Sequence, residues 1–432
     1  MVPQTCIHMR RRANFLFACC IIGSLGIYAF AYLSMLRLKV QSVKRPHSVQ
    51  HSAIIEPSTW EVSHFRIFDV VLNGDPFQSE SVTIYLNTYR YHITWSAFMC
   101  FFPWSNVTTL GVIDRRSHEL LLTCLLPNVE LAMIKSGRHS FQISLLIKFG
   151  KSENETYFTS EPKRISVYRR EKHGIAIYTM IRNRRNEIID WIEYHRMIGV
   201  EHFYLYDHLS EDQIDTYLEY YLKQGIVTIF KWPFEPTRNQ HWNTIQCASM
   251  NHALKNFGPF NRWMGYFDVD EYFQLNSTNA QLIESKKQSL TELFDRSFPV
   301  TNFPGGAQFL NCPISCFLSE REIVAGRHLN IFQKCSSIVE PRDCFRRRKL
   351  FIRPEGVSIL QNIHAFEDGV RFSAKNVMSN FGEFRHYHYG LITGKGDSRG
   401  QSDNSMDRYI VNLTARISSF YRDSCLESRT YQ

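Results

Sequence analysis

The pattern of hydrophobic positions changes character along the chain. From residue 174 onward, apolar runs of strand length alternate with segments in which apolar residues return every three or four positions, as on one face of a helix. The runs predict strands at 174–181, 200–206, 226–230 and 263–267, with helices between them, the last at 244–257. This β-α-β-α-β-α-β order favours a parallel sheet with crossover helices, in which ligands bind beyond the carboxyl ends of the strands.

Cap residues predict where the helices begin and end. Asn186 is the predicted N-cap of the first helix, which Gly199 ends. Ser210 is the predicted N-cap of the second, with Gln213 completing a capping box and Gly225 ending the helix. The predicted strand ends are followed by polar residues, namely Arg182-Asn183, Asp207 and Asp268-Val269-Asp270.

Residues 60–168 show a different pattern. Short β-branched and aromatic runs at 81–86, 89–95, 120–126 and 141–148 are separated by turn residues, and helical periodicity is scarce. This predicts a small all-β domain, in one interpretation a sandwich, ahead of the α/β part. Its role stays open between carbohydrate binding and a packing or spacer module.

One uncharged segment dominates the N-terminal region. Residues 13–36 carry no charge over 24 positions, which at about 1.5 Å per residue span roughly 36 Å and suffice to cross a bilayer. We therefore predict a transmembrane signal anchor there, after a cytosolic tail at 1–12 and before a polar stem at 37–59. The alternative is a cleaved signal peptide ending at Ala29-Phe30-Ala31, although the apolar stretch exceeds the usual length for one.

Charge and composition narrow the choice of partner. The chain has a formal net charge of +9, but residues 1–45 hold seven lysines and arginines and no acid, so the excess flanks the apolar segment. This distribution indicates a membrane and not a nucleic acid as the partner. With 44% hydrophobic and 21% charged residues, the composition is that of a globular protein and excludes wholesale disorder.

Cysteines and glycosylation sequons downstream of the apolar segment indicate an oxidising lumen. The sequons are at Asn106, Asn154, Asn276 and Asn412. Eight cysteines follow the segment, an even number that suits disulfides, at positions 100, 124, 247, 312, 316, 335, 344 and 425. A zinc site formed by the cysteines at 312, 316, 335 and 344 is the alternative, but their spacing is poor for it. The prediction is a type II membrane protein with a luminal body.

The candidate chemistry begins with two acids after the fourth predicted strand. Asp268 and Asp270 are spaced by two, so in extended backbone both side chains lie on one face while Val269 faces the core. Carboxylate oxygens suit a hard cation such as Mn²⁺ or Mg²⁺, which can bridge the two phosphates of a nucleotide diphosphate. The alternative is a pair of acids that cap a turn.

Four segments of the α/β part form a distinctive combination: MIRN at 180–183 with EIIDWIEYH at 187–195, GVEHFYLYD at 199–207, FDVDEYF at 267–273 and KLFIRPEGV at 349–357. Together and in this order they resemble glycosyltransferase family 92. The resemblance spans about half the chain and implies an inverting, metal-dependent transferase on a luminal, single-pass Golgi membrane protein, with UDP-galactose as the usual donor and a glycan as acceptor. The fold it implies is α/β: a GT-A-type, Rossmann-like mixed sheet with flanking helices at 172–425, preceded by the all-β domain and the transmembrane helix.

The resemblance also assigns roles to individual residues. Asp268 and Asp270 match the family's metal-binding pair, and Arg182, Asn183 and Asp207 are expected near the nucleotide. Lys349 opens a family-like segment and is expected to stabilise the leaving UDP. His386 aligns with a histidine expected to complete the metal shell, but His388 stands where the family usually has arginine, so either imidazole is a candidate ligand.

Inversion requires a general base, and the sequence leaves several carboxylates open for that role. Glu320 follows the Gly305-Gly306 loop at a position where family members tend to carry a glutamate. Glu322, Asp343 and Glu383 compete with it.

Two other function classes remain as alternatives. One is a membrane-tethered carbohydrate-binding ectodomain with an inactive transferase domain. The other is a metal-dependent phosphohydrolase, which would need further metal ligands near the first strand that Arg182-Asn183 does not offer. The sequence does not predict an oligomeric state.

Overall fold

The structure is a computed structural model of the chain. It describes residues 54–57, 59–62, 65–73, 79–87, 96–114, 116, 120–149, 156–167, 170–236, 242–315, 332, 337–338, 348–362, 364–367, 380–387, 401–402 and 406–424. Residues Gln50–Gln432 belong to one compact unit.

The chain folds into a β-rich first part and an α/β second part. The strands are β1 Ile54–Ile55, β2 Trp60–Val62, β3 Phe65–Leu72, β4 Ser81–Asn87, β5 Ser96–Phe102, β6 Val107–Asp114, β7 Leu120–Leu125, β8 Ser140–Phe149, β9 Thr156–Thr159, β10 Lys163–Ser166, β11 His173–Ile181, β12 His202–Asp207, β13 Val227–Lys231, β14 Asn261–Tyr266, β15 Glu271–Leu275, β16 Gly306–Phe309, β17 Asn311–Ser315, β18 Ser337–Ile338, β19 Lys349–Ile352, β20 Ile359–Asn362, β21 Ala365–Glu367, β22 Gly382–Tyr387 and β23 Gln401–Ser402. The α-helices are α1 Asn128–Lys135, α2 Ile188–Ile198, α3 Ile214–Tyr217, α4 Glu219–Lys223, α5 Trp242–Asn256, α6 Ser277–Glu284, α7 Leu290–Ser297 and α8 Asp407–Asp423.

The β-rich part forms a sheet that folds over on itself. Its described strands run in the order β10-β8-β5-β6-β7-β4-β3-β2, with β9 beside β8. Strand β6 pairs with β5 on one side and β7 on the other, and residues of both halves share one hydrophobic core. A disulfide between the buried Cys100 and Cys124 joins β5 to β7 inside this core. The predicted runs at 81–86, 120–126 and 141–148 match β4, β7 and β8, whereas 89–95 lies outside the described residues.

The α/β part is built on a mixed sheet. Among the described residues its strand order is β1-β13-β12-β11-β14-β19-β16. Strands β13, β12, β11 and β14 are mutually parallel, as the alternating pattern predicts. Strand β19 pairs antiparallel with β14, and β16 pairs antiparallel with β19. The predicted α/β class with a mixed sheet and flanking helices is thus confirmed. Strand β1 lies within the predicted stem and forms a parallel edge strand beside β13.

The two faces of this sheet are both buried, which explains the continuous apolar runs. Alternate residues of β11 point to opposite sides: Ile175 and Ile177 join the core under α2, whereas Ala176 and Tyr178 join the core under α5. Helix α2 ends at Gly199, whose φ of 109° is a left-handed conformation that favours glycine.

Two of the predicted caps are wrong. Helix α2 starts one residue later than predicted, with Glu187 and not Asn186 at the N-cap position. The predicted second helix is divided into the short helices α3 and α4, and Gln213 precedes them in a left-handed conformation. Ser210 does not cap a helix because its hydroxyl accepts a hydrogen bond from the backbone N–H of Asn183, 3.0 Å away.

We call the β-rich part, β2 to β10, the sandwich, because the two halves of its sheet pack around one core. The sandwich also shares a second core with the α/β part. Phe68 of β3 packs against Phe234 with ring centroids 4.4 Å apart, and the Tyr85 hydroxyl donates to the Asn251 carbonyl at 2.9 Å. The carboxylate of Asp69 lies 2.8 Å from the His252 imidazole on α5. These contacts fix one face of the sandwich against α5 and against the segment that follows β13.

In the described part of the chain, no helix has the length and hydrophobicity that crossing a bilayer requires. The predicted transmembrane segment at 13–36 lies outside the described residues.

A buried histidine ties helix α2 to strand β15. His195 has no exposed surface; its Nδ1 lies 2.8 Å from the Trp191 carbonyl, and its Nε2 accepts from the Phe273 N–H at 3.3 Å. This pattern needs a neutral ring with the proton on Nδ1. Burial accordingly lowers the pKa of His195 from 6.5 to about 3.

We expect this histidine to make the fold sensitive to mild acid. Its pKa is lowered on folding, so the unfolded chain binds a proton that the native chain does not, and stability falls as the pH drops from about 6.5 toward 3. The slope from this residue is about 1.4 kcal/mol per pH unit. Urea unfolding between pH 7 and pH 5 should show this contribution to the pH dependence of stability in the parent and not in His195→Gln. The control His139→Gln, at an exposed position, should keep the parental slope. A parental slope in His195→Gln would contradict this account.

Candidate active site

The carboxyl ends of the parallel strands bring the predicted polar residues to one edge of the sheet. Arg182 and Asn183 follow β11, Asp207 ends β12, and Asp268 and Asp270 follow β14. Strand β13 adds Lys231, which stands opposite Asp207 in the parallel register. The edge therefore carries both acidic and basic side chains, as a site for a charged ligand requires.

Asn183 joins the loops after β11 and β12. It adopts a left-handed φ of 55°, a conformation that asparagine tolerates better than most residues. Its N–H donates to the Ser210 hydroxyl, and its side-chain Oδ1 accepts from the Glu211 N–H at 2.7 Å. Arg182 beside it is exposed and pairs with Glu235 at 3.4 Å.

Asp207 is buried, and both of its carboxylate oxygens are engaged within the protein. Oδ1 accepts from the Ser210 N–H at 3.1 Å, and Oδ2 accepts from the Lys231 ammonium at 2.7 Å. The same ammonium lies 2.6 Å from Asp215. Burial lowers the pKa of Lys231, but its hydrogen bonds to the two aspartates outweigh burial and raise it overall. Asp207 thus stabilises the turn that follows β12 through the Ser210 N–H.

The Asp-Val-Asp segment is a turn, so the prediction of extended backbone there is wrong. The Glu271 N–H donates to the Asp268 carbonyl at 3.0 Å and closes the turn. The physical reason is that β14 and β15 belong to different sheets, so the chain must change direction between them. Val269 is buried as predicted, whereas the Asp268 side chain is 40% exposed and that of Asp270 is 13% exposed.

Lys349 connects this turn to a buried acid that the sequence analysis missed. Its ammonium lies 2.7 Å from the Asp268 carboxylate and 2.9 Å from that of Glu271. Glu271 is buried and also accepts hydrogen bonds from Asn311 Nδ2 at 2.6 Å and from the Asp268 N–H at 2.8 Å. The signal that could have revealed it is the third acid of Asp-Val-Asp-Glu at the start of an otherwise apolar strand.

The pKa values of Glu271 and Lys349 are both raised, but for different reasons. Burial raises the pKa of Glu271, although the Lys349 ammonium opposes it. For Lys349, burial lowers the pKa, but the adjoining carboxylates of Asp268 and Glu271 outweigh it and raise the pKa overall. Lys349 is therefore a permanent cation at neutral pH.

His386 completes the group from the neighbouring strand. It stands opposite Glu271 in the antiparallel register of β15 and β22. Its Nε2 lies 3.5 Å from Asp270 Oδ2, and its Nδ1 lies 3.8 Å from Glu271 Oε1. Burial lowers the pKa of His386, but the Asp270 hydrogen bond and the Glu271 charge raise it overall. We call Asp268, Asp270, Glu271, Lys349 and His386 the charge cluster.

The chemistry of the charge cluster fits a divalent cation. Asp268 and Asp270 offer partly exposed carboxylate oxygens and His386 offers a ring nitrogen, a donor set that suits Mn²⁺. In the arrangement described, the Lys349 ammonium already holds Asp268. Among the described residues, no three His, Cys, Asp or Glu side chains are grouped closely enough to hold a metal as they stand.

Several other predicted site residues lie outside the described residues, namely Glu320, Glu322, Asp343 and His388. Glu383, a competitor for the base, is described, and its carboxylate lies 2.7 Å from the Arg385 guanidinium. It therefore has a cationic partner within its own strand.

The described sequons differ in accessibility. Asn106 is exposed in a turn with a φ of 53°, and Asn412 is exposed on α8. Asn276 is the N-cap of α6: its Oδ1 accepts from the Asn279 N–H, and its Nδ2 donates to the Asn380 carbonyl. Asn154 lies outside the described residues.

Three of the described cysteines form disulfides, as expected for a chain in an oxidising environment. Besides the Cys100–Cys124 disulfide, Cys312 is disulfide-bonded, which speaks against the alternative zinc site. Cys247 is buried on α5 and is not part of a disulfide.

Sequence comparison supports the resemblance that the motifs indicate. A family model described as glycosyltransferase family 92 matches residues 182–417, which is more than half of the chain. This chain belongs to glycosyltransferase family 92. The match includes Arg182, Asn183, Asp207 and the whole charge cluster.

Curated relatives carry the same family name. A glycosyltransferase family 92 protein of Ricinus communis is 25% identical over 228 residues, 51% of this chain and 36% of that protein, and reaches 35% over a stretch of 104 residues. One from Arabidopsis thaliana is 25% identical over 224 residues, 50% of this chain and 36% of its own length. One from Oryza sativa subsp. japonica is 30% identical over 112 residues, 26% of this chain and 18% of its own. The matches thus cover about a third or less of each relative.

We expect the Lys349–Glu271 pair to be essential to the stability of this family 92 fold. Lys349→Met leaves the Glu271 carboxylate buried without its cation, which costs about 3–5 kcal/mol. Adding Glu271→Gln should recover most of the loss, because no uncompensated charge then remains buried. Urea unfolding measures both. The control is Lys223→Met, which breaks a solvent-exposed ion pair with Glu219 and should cost less than about 1 kcal/mol. Equal losses in the two lysine variants would refute the prediction.

Proposed function

We propose that this chain is an inverting, metal-dependent glycosyltransferase. It transfers a hexose, galactose from UDP-galactose, onto a glycan acceptor at the Golgi membrane. The observation that carries the proposal is the contact chain from Asp268 through Lys349, Glu271 and His386 to Asp270, which gathers acid, imidazole and ammonium groups at one edge of the sheet. Membership of glycosyltransferase family 92 supports the reaction class.

The residues proposed to hold the metal are Asp268, Asp270 and His386, with His388 as a further candidate. A divalent ion bound there neutralises charge on the diphosphate leaving group. The proposed fold is of the GT-A type, and the support for it is the parallel order β13-β12-β11-β14 with the Asp-Val-Asp turn directly after β14. The metal preference itself rests on the chemistry of oxygen and nitrogen donors.

The proposed nucleotide side of the site comprises Arg182, Asn183 and Asp207. Arg182 is 49% exposed and can turn from Glu235 toward a phosphate. Asn183 is held by Ser210 and Glu211, and the buried Asp207 fixes the Ser210 N–H. In this proposal the loop after β12 is pre-ordered, so nucleotide binding does not need to order it. Lys349 stabilises the negative charge that develops on the departing UDP.

The choice of galactose and of the Golgi rests on the family resemblance and on the apolar segment at 13–36. The four sequons and the Cys100–Cys124 disulfide agree with a luminal body.

Activity should depend on the metal and on Asp270. We expect UDP release from UDP-galactose in the presence of Mn²⁺ to be abolished by EDTA, and to fall by at least about 100-fold in Asp270→Ala, because the carboxylate that holds the ion is lost. Expression of residues 46–432 in a secretory host, followed by a UDP-sugar panel, provides the measurement. Glu284→Ala on the exposed end of α6 is the matched control and should retain parental release. If neither EDTA nor the Asp270 substitution changes UDP release, the metal-dependent mechanism is wrong. If no donor gives UDP release, the alternative of an inactive transferase domain is favoured.

Glu320 is proposed as the base that deprotonates the acceptor hydroxyl. Glu320→Gln should lower kcat for transfer by about 100- to 10,000-fold, the usual contribution of a general base, and leave the affinity for UDP with Mn²⁺ unchanged. Initial rates together with calorimetric titration of UDP separate the two effects. Glu284→Gln, on the exposed end of α6, serves as the control and should transfer at the parental rate. Normal transfer by Glu320→Gln would reassign the base to another carboxylate.

A further inference from the structure

The place beside Asp268 where the proposed metal would bind already contains a cation. The Lys349 ammonium lies 2.7 Å from Asp268 and 2.9 Å from Glu271, and only 3% of the lysine side chain is exposed. A lysine ammonium is a compact point charge with three donors, so it can neutralise two carboxylates at once. A divalent ion approaching Asp268 therefore meets a charge of its own sign.

Of the two carboxylates that contact the Lys349 ammonium, only Glu271 depends on it. Its backbone is fixed because β19 pairs with β14 on one side and β16 on the other. Glu271 has a 1% exposed side chain and needs the lysine charge, since no water can replace it. Asp268 is 40% exposed and is solvated without the lysine. Breaking the ion pair with Asp268 therefore costs less free energy than breaking the ion pair with Glu271.

We propose that Lys349 competes with the divalent ion for the Asp268 carboxylate, and that the diphosphate of the nucleotide relieves this competition by offering the lysine another anion. The inference rests on the proposed function and adds a role for Lys349 before any chemistry takes place. Metal and nucleotide then bind cooperatively, and by thermodynamic reciprocity each raises the affinity for the other by the same factor. Free metal alone is held weakly, so the site loads as a metal–nucleotide pair.

The test is a calorimetric titration of the full-length chain with Mn²⁺, in the absence and in the presence of UDP. The informative variant is Lys349→Met combined with Glu271→Gln, because it removes the competing ammonium and keeps the net charge of the cluster unchanged. We expect this double variant to bind Mn²⁺ alone about tenfold more tightly than the parent. We also expect UDP to increase its Mn²⁺ affinity much less than it does in the parent. The expected size is within the range of about 5- to 150-fold by which one ligand typically changes the affinity for another at a coupled site.

Lys231→Met is the matched control. That lysine also bridges two carboxylates, Asp207 and Asp215, on β13, two strands away from β11 at the same sheet edge. Its two carboxylate partners are not members of the charge cluster. It should leave the affinity for Mn²⁺ alone unchanged. Thermal unfolding of each variant checks the fold. If the double variant does not fold, Lys349→Gln combined with Glu271→Gln replaces it, because this pair also leaves no uncompensated buried charge and keeps a hydrogen-bonding side chain at both positions.

Failure of this inference is distinguishable from failure of the proposed function. If the parent binds UDP equally with Mn²⁺ and with EDTA, the metal-dependent function itself is wrong. If the parent shows metal-dependent UDP binding but the folded variant binds Mn²⁺ no more tightly than the parent, only the competition by Lys349 is refuted. A tenfold gain that also occurs in Lys231→Met would refute it as well, because the effect would then be one of general charge.

Discussion

The structure around the candidate site depends on the compensation of one buried carboxylate. Glu271 lies at the start of β15, where almost no water reaches it, and an isolated charge in that position would be strongly destabilising. Its partners come from four separate segments: Lys349 from β19, Asn311 from β17, the Asp268 N–H from the turn after β14, and His386 from β22. The contacts of this one carboxylate therefore join the main sheet to the five-stranded sheet that contains β15, β17 and β22. The junction lies at the turn that carries both aspartates.

The sequence predicts the parallel part of the fold well because its signals are local. Continuous apolar runs identify β11, β12, β13 and β14, and Gly199 marks the end of α2 through its own backbone conformation. The misses involve contacts between residues distant in the chain. Ser210 carries the signature of a helix cap, but Asn183, 27 positions earlier, takes its hydroxyl. Glu271 and Lys349 are 78 positions apart, so periodicity cannot show that they pair. The backbone of Asp268 was predicted as extended because a strand precedes it, although the next strand belongs to another sheet.

The same reasoning applies to the sandwich. The sequence predicts several of its strands but not how it packs against the α/β part. The short β-branched runs indicate its strands, but nothing local indicates that Phe68 enters the core beneath α5 or that Asp69 meets His252. The imidazole of His252 also lies 2.6 Å from the Tyr206 hydroxyl, and Tyr206 directly precedes Asp207 at the end of β12. The sandwich is thereby linked through packed side chains to a strand of the candidate site. A rigid support of this kind favours the packing interpretation of the sandwich over that of an independent binding module.

Two lysines, Lys231 on β13 and Lys349 on β19, each bridge two carboxylates at the same edge of the main sheet. The exposure of their partners shows which of the two can take part in ligand binding. Around Lys231, the central Asp207 is the buried partner with 3% side-chain exposure, and both of its oxygens are engaged. Around Lys349, the lysine and Glu271 are buried, while Asp268 faces solvent at 40% exposure. A carboxylate can exchange its partner for a ligand only if water or the ligand reaches it, which holds for Asp268 and not for Asp207 as it stands. We infer that the Lys231 pair orders the Ser210 loop, and with it Asn183, while the Lys349 pair leaves one carboxylate available to a ligand.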